Sequence, residues 1–242
     1  MGTYAGLVRF DGVRFVPWPS LSDQPLPDYR IWSLLATKDG SLWIGTQRGL
    51  ARWKTGELTA YVNPRGRINS ILEDLHGDVW VARSQITDGA GPLCRVTGSE
   101  PRCFGNADGI PMRTAMRLAK DPSGHIWISG SEGLCQWTPQ SSTTYFQKKL
   151  KQHGVLLGIL ALVVARNGDL WISLEQPGGS LQLEHFTQGR WKHQDLPGLS
   201  ASDQVISALY EDRDGAVWVG TGRQGVYRIY RARRTILRVP TA

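Results

Sequence analysis

Arginine, tryptophan and asparagine side chains recur in this chain at places suited to holding a ligand. The set is Arg30 and Trp32, Arg67 and Asn69, then Arg48, Arg113 and Arg223. A guanidinium is a planar fork of donors that matches oxyanions. Several converging on one mouth raise the local positive potential and favour an anionic ligand such as an acidic sugar. Neighbouring carboxylates give a second account, in which each guanidinium is neutralised on a solvated surface.

Catalysis finds less support. General acid–base chemistry needs a histidine and a carboxylate converging on one face. Glu184 and His185 are adjacent, so on a strand they point to opposite faces, while His76 and His125 fall in turns. There is no CxxC and no HxxxH, so neither a metal nor a cofactor is implied, and no catalytic residue is assigned. Cys94 and Cys103 flank the turn Thr97–Glu100. If Val96 pairs with Pro101, the two cysteines are directly opposite, within reach of a disulfide. Two reduced, buried thiols fit equally well. Cys135 has no facing partner and reads as a small buried hydrophobe.

The elements that must carry these residues are announced by a repeat. Asp39-Gly40-Ser41-Leu42-Trp43, His76-Gly77-Asp78-Val79-Trp80, Ser123-Gly124-His125-Ile126-Trp127, Asn167-Gly168-Asp169-Leu170-Trp171 and Asp214-Gly215-Ala216-Val217-Trp218 share one pattern. The tryptophans lie 37, 47, 44 and 47 residues apart. A turn and an aromatic recurring at such a period predict an all-β chain of four-stranded antiparallel blades, a β-propeller. In the unit from 67 to 104, strands are expected at Ile68–Asp74, Val79–Ala82, Leu93–Val96 and Pro101–Phe104. The position two after each tryptophan is Gly45, Ala82, Ser129, Ser173 or Gly220, small where neighbouring blades crowd. The tryptophans themselves should fill the interfaces between blades. Third strands carry Arg9, Arg52, Arg95 and Arg228 in one column, expected to cover apolar surface and pair with acids.

The blades are expected at 30–66, 67–112, 113–157, 158–204 and 205–242, after an outer half-blade at 1–29. That is five full blades and a half, part of a larger, seven-bladed array, with Thr235–Pro240 as the last outer strand. The apolar run Val155–Ala165 is too short to span a membrane, which takes about 20 residues, and aligns with the inner strands. Met1–Ala5 has neither the basic start nor the apolar run of a secretory signal. The net charge of +7 is dispersed apart from Arg228, Arg231, Arg233, Arg234 and Arg238, so no nucleic-acid partner is expected.

The unit seen in Ile68–Trp80, Trp43–Arg52 and Ile206–Arg228 resembles the two-component regulator propeller repeat. The resemblance implies the extracytoplasmic, periplasmic sensing part of a histidine kinase or related regulator. No membrane span, kinase core or following β-sandwich is in this sequence, so only the sensing role carries over. The expected partners are a small-molecule or glycan ligand and the remainder of a regulator. A protein–protein scaffold is the alternative. An enzyme resembling the streptogramin lyases, propellers with a comparable turn, is the third reading. The Asp-box of sialidase-type propellers does not match, because Lys38, Leu75, Pro122, Arg166 and Arg213 stand two before the glycines.

Overall fold

The protein is described here by a computed structural model covering residues 1–242 except 19–22, 99, 154–157, 197–204, 223–224, 231–232 and 238–242; at 153 and 233–237 it describes the backbone alone. The chain is all-β, and six antiparallel sheets follow one another along it. The first has three strands, β1 (Gly2–Thr3), β2 (Gly6–Phe10) and β3 (Phe15–Pro17). The second has β4 (Ile31–Ala36), β5 (Leu42–Thr46), β6 (Leu50–Lys54) and β7 (Glu57–Ala60). The third has β8 (Arg67–Glu73), β9 (Val79–Ser84), β10 (Leu93–Val96) and β11 (Arg102–Phe104). The fourth has β12 (Arg117–Lys120), β13 (Ile126–Gly130), β14 (Gly133–Trp137) and β15 (Ser142–Tyr145). A helix, α1 (Gln147–His153), comes next and has no counterpart in the sequence reading. The fifth sheet has β16 (Ile159–Val164), β17 (Leu170–Glu175), β18 (Leu181–Thr187) and β19 (Arg190–His193). The sixth has β20 (Ile206–Glu211), β21 (Val217–Thr221), β22 (Val226–Tyr230) and β23 (Arg233–Leu237). The last outer strand thus begins two residues before its expected start, and 238–240 lie outside the described residues. Each sheet is a meander of sequential strands, the blade of a β-propeller.

Two compact units, Met1–Leu118 and Ala119–Ala242, divide the chain. In the first, Trp43 and Leu50 of the second sheet share a core with Ile68, Val79, Val81 and Cys94 of the third. In the second unit, Trp127 packs with Leu170 and Ile172 of the next sheet, and Trp171 with Val217, Val219 and Ile229. These tryptophans therefore do fill the seams between blades. The apolar run after α1 becomes β16, with Ile159, Ala161 and Leu162 buried. Residues 155–157 of that run lie outside the described residues. Among the described residues no helix is long and apolar enough to cross a membrane.

The turn–Trp unit is fixed by carboxylates three residues before the glycine, an offset the Asp-box comparison did not test. Asp74 Oδ1 accepts the N–H groups of His76 and Asp78 at 2.8 and 3.0 Å. Its Oδ2 accepts Trp80 Nε1–H at 2.8 Å. Asp121 and Asp212 repeat the arrangement with Trp127 and Trp218, at 3.1 and 2.6 Å. One side chain thus ties a turn to the aromatic of the following strand, at about 1 kcal/mol per bond net. In the other two units the position holds Thr37 and Ala165, and the turn carboxylates Asp39 and Asp169 are used differently. Asp39 pairs with Arg52 and Lys54 at 2.8 and 2.9 Å, and Asp169 with His185 at 3.0 Å.

Three of the four arginines in the column, Arg52, Arg95 and Arg228, are paired with acids, as expected, and also stacked. Arg52, Arg95 and Arg228 lie directly across the ladder from Trp43, Trp80 and Trp218. Their guanidiniums sit 5.6, 5.7 and 5.7 Å from those ring centroids, in cation–π range. In the fifth sheet His185 takes the place and stacks on Trp171 at 3.8 Å with 9° between planes.

Cys94 lies opposite Cys103 in the β10–β11 register, and the two are bonded. The bond staples the outer strand of the third blade across a sequence separation of nine. Loop-closure entropy for so short a loop gives about 2–3 kcal/mol. The Cys94→Ser/Cys103→Ser variant should lose that much in urea unfolding at matched ionic strength. Peptide mapping of the unreduced wild type should recover one cross-linked 94–103 fragment; free thiols at both positions would contradict the bond. Cys135 is buried and outside any disulfide, and burial pushes its thiol pKa up to about 11.

Candidate functional site

Among the described residues the inner strands β4, β8, β16 and β20 carry a β-bulge, and two of the bulged residues, Trp32 and Asn69, belong to the ligand set. In β4 the register moves from Ile31↔Thr46 to Ser33↔Gly45, leaving Trp32 as the extra residue. In β8 it moves from Ile68↔Arg83 to Ser70↔Ala82, leaving Asn69 extra. A bulge frees a residue from the ladder and re-aims its side chain. Gly45, the small residue two after Trp43, lies opposite the β4 bulge and leaves no room for a larger group. A Cβ on Gly45 would stand 2.1 Å from Ser33 Oγ and 2.9 Å from the carbonyl oxygen of Ile68.

Trp32 and Asn69 anchor one polar cluster within the first unit. Trp32 Nε1 donates to Gln47 Oε1 at 2.8 Å, and Tyr4 meets the Trp32 ring edge-on at 5.2 Å. The Arg67 guanidinium lies over Trp32, 4.3 Å from its centroid, and its Nε donates to Asn69 Oδ1 at 2.7 Å and Ser84 Oγ at 3.2 Å. Asn69 Nδ2 donates to Ser84 Oγ and to the carbonyl of Ala115, at 2.9 and 2.7 Å. Arg117, at the start of β12, donates from Nη1 to the carbonyls of Met116 at 2.9 Å and Asn69 at 3.5 Å. Burial lowers the pKa of Arg67. Burial, then the charge of Arg67, lowers that of Arg117. Both remain cations at neutral pH.

Gln47 joins this cluster to a cleft of about 490 Å³ lined by Arg30, Gln47, Arg48, Arg65, Gln85 and Thr87, among others. Gln47 Nε2 donates to Gln85 Oε1. Asp28 neutralises part of the rim, pairing with Arg30 at 3.2 Å and with the exposed Arg48 at 3.3 Å. Burial raises the Asp28 carboxyl, but its bonds from Arg30 outweigh that and hold it low. The structure thus gathers Arg30 and Arg48 at the cleft and Trp32, Arg67 and Asn69 in the cluster that Gln47 joins to it. Arg113 is exposed, and Arg223 lies outside the described residues.

Two arginines near the cleft escaped the sequence reading. Arg117 was not selected, because nothing in its local sequence separates it from other strand-end arginines. Arg83, read as part of a loop, is in β9 and fully buried. Its guanidinium holds Asp88 at 2.6 and 3.0 Å and the carbonyls of Gly91 and Arg65 at 2.8 Å each. It clamps the loop that supplies Gln85 and Thr87 to the cleft.

A larger groove of about 940 Å³ opens at the turn ends of the second and third sheets, lined by Asp39, Arg52, Tyr61, Glu73 and Asp78 among others. Its charges are spent internally: Arg52 and Lys54 on Asp39, Arg95 on Asp78. Among the described residues no group of three histidine, cysteine or carboxylate side chains is placed to hold a metal.

The two-component regulator propeller family matches residues 25–48 and 200–223. No curated protein matches the chain. Among solved structures, the extracellular domain of a designated hybrid two-component system from B. thetaiotaomicron superposes with a TM-score of 0.76 at 16% identity. It covers 100% of this chain and 33% of its own. Virginiamycin B lyase from Staphylococcus aureus gives 0.69 at 16% identity, covering 96% and 77%. PorZ, a surface component of the type-IX secretion system of Porphyromonas gingivalis, gives 0.63 at 16% identity, covering 95% and 37%. The chain spans about a third of the length of the two-component extracellular domains it resembles. This chain has a β-propeller fold, and two of its segments match the two-component regulator propeller.

Proposed function

We propose that the chain is a ligand-sensing module of a two-component regulator, acting outside the cytoplasm and without catalysis of its own. It takes an anionic small molecule or glycan on the face formed by the loops. The observation that carries this reading is the concentration of guanidiniums there: Arg30, Arg48 and Arg65 line the cleft, and Gln47 of its lining bonds Trp32, the anchor of the cluster holding Arg67 and Arg117. The volume is that of a small-molecule site. The Cys94–Cys103 bond suits an oxidising compartment.

The likeness to a lyase gives the enzyme reading its interest, but the described histidine rings with partners are held in local pairs. His125 Nδ1 is 2.8 Å from Asp121, His185 is stacked on Trp171, and His193 sits between Glu184 and Asp195 at 3.4 and 3.2 Å.

Calorimetric titration with matched acidic and neutral oligosaccharides tests the sensor reading. Saturable binding of an acidic member is expected, weakened at least tenfold in Arg48→Gln/Arg65→Gln, since a lost charge-assisted bond costs about 1.5–3 kcal/mol. Unchanged affinity in that variant, or turnover of the ligand by mass spectrometry, would sink it.

A further inference from the structure

We infer that Arg67 and Arg117 form an oxyanion-binding subsite, for a carboxylate or sulfate group of a ligand; this rests on the sensor reading. Both guanidiniums reach Asn69 and Met116, and the charge of Arg67 lowers the pKa of Arg117, yet among the described residues neither has a carboxylate within ion-pair distance. The contrast within the same unit is sharp. Arg30, Arg48, Arg52, Arg83 and Arg95 are all paired with aspartates. Two like charges, partly withdrawn from water and left without a counter-ion, are a standing electrostatic cost that an arriving anion removes.

The surroundings hold the pair in place without neutralising it. Trp32 lies under Arg67, and Asn69 Oδ1 and Ser84 Oγ fix its Nε. Arg67 Nη2 also approaches Met116 Sδ at 3.9 Å. The carbonyls of Asn69 and Met116 hold Nη1 of Arg117. These partners are neutral dipoles, and among the described residues Arg67 Nη1 and Arg117 Nε and Nη2 have no bond, so nothing described there compensates the positive charge. Trp32 and Asn69 are positioning residues, and the bulges of β4 and β8 place them. A rigid fork of this kind recognises an oxyanion by two or more charge-assisted bonds.

Thermal unfolding in sodium sulfate, acetate and phosphate, against chloride at constant ionic strength, reads the subsite directly. Wild type is expected to show a saturable upward shift in at least one of these anions, and the strongest of them tells carboxylate from sulfate and phosphate chemistry. Arg67→Gln and Arg117→Gln, which keep a donor for the neighbouring acceptors, should raise the apparent Kd about tenfold or more. Their midpoints in chloride should stay level or rise, because a like-charge repulsion has gone; a purely structural pair would instead lower them. Arg113→Gln should leave the anion response intact. Absence of a saturable shift in wild type, or an equal shift in both pair variants, overturns the subsite. Oligosaccharide binding that is lost in Arg48→Gln/Arg65→Gln but indifferent to Arg67 and Arg117 would overturn the subsite and leave the sensor reading standing. An anion shift that depends on the pair, with no oligosaccharide bound, would do the reverse.

Discussion

Arg83→Met is expected to lower the unfolding free energy by about 2–4 kcal/mol, because two carbonyls lose a fully buried donor while the ion pair lost has a partly exposed carboxylate. Arg83 is fully buried, and its removal strands three groups at once: the Asp88 carboxylate and the carbonyls of Gly91 and Arg65. Methionine fills most of the volume but returns none of the donors. Urea unfolding measures the effect, and a loss below about 1 kcal/mol would show that water replaces the guanidinium freely. A second reading comes from acid. Hydrogen bonds from Arg83 outweigh burial in setting the Asp88 carboxyl, whose pKa is lowered. A depressed folded-state value means Asp88 stabilises the fold fully above the ordinary carboxylate value of about 4 and loses that contribution as pH falls through the folded one. Arg83→Met should therefore flatten the acid side of the stability profile, over that interval alone. Arg83→Met/Asp88→Asn should recover part of the loss, since no partly desolvated carboxylate is then left without its partner.

Gly91→Ala is expected to cost about 3 kcal/mol or more, the upper range for overpacking. A Cβ there would lie 1.8 Å from the carbonyl oxygen of Phe104, 2.0 Å from its carbon and 2.4 Å from the Gly105 nitrogen. All three are backbone atoms, so no rotamer relieves the clash. Retreat of β11 is opposed by the Cys94–Cys103 bond. Gly89→Ala supplies the control: no atom lies within 4 Å of the added carbon, and the penalty is limited to its φ of 71°, about 1–2 kcal/mol. Equal melting temperatures for the two variants would show that β11 moves aside.

The blades were legible because the tryptophan does two jobs that leave marks in sequence. It demands a turn before it and a small residue two places after it, so Gly45, Ala82 and Ser129 flag the seams without structural knowledge. The pairing of Cys94 with Cys103 was likewise readable as register arithmetic across a short turn. The carboxylates of Asp74, Asp121 and Asp212 were equally periodic but went unread, since the comparison looked two positions before the glycine and they stand three before. Bulges at Trp32 and Asn69 leave no local trace, because an extra residue in a strand is defined by its partner strand. Arg117 and Arg83 show the deeper limit. One has no carboxylate within ion-pair distance among the described residues and the other is fully buried, and that difference lies in tertiary neighbours that no single segment encodes.

The Arg83 clamp also changes the thermodynamics of the loop it holds. Residues 85 to 92 would otherwise be a connection free to wander, and a ligand recruiting Gln85 and Thr87 would have to restrict it on arrival. Asp88, Gly91 and Arg65 fix that segment when the chain folds, so the conformational entropy is surrendered before any ligand is present. On the proposed reading, a ligand at the cleft would meet a pocket already in shape. The heat-capacity change of binding should reflect the surface covered alone, with no added contribution from ordering.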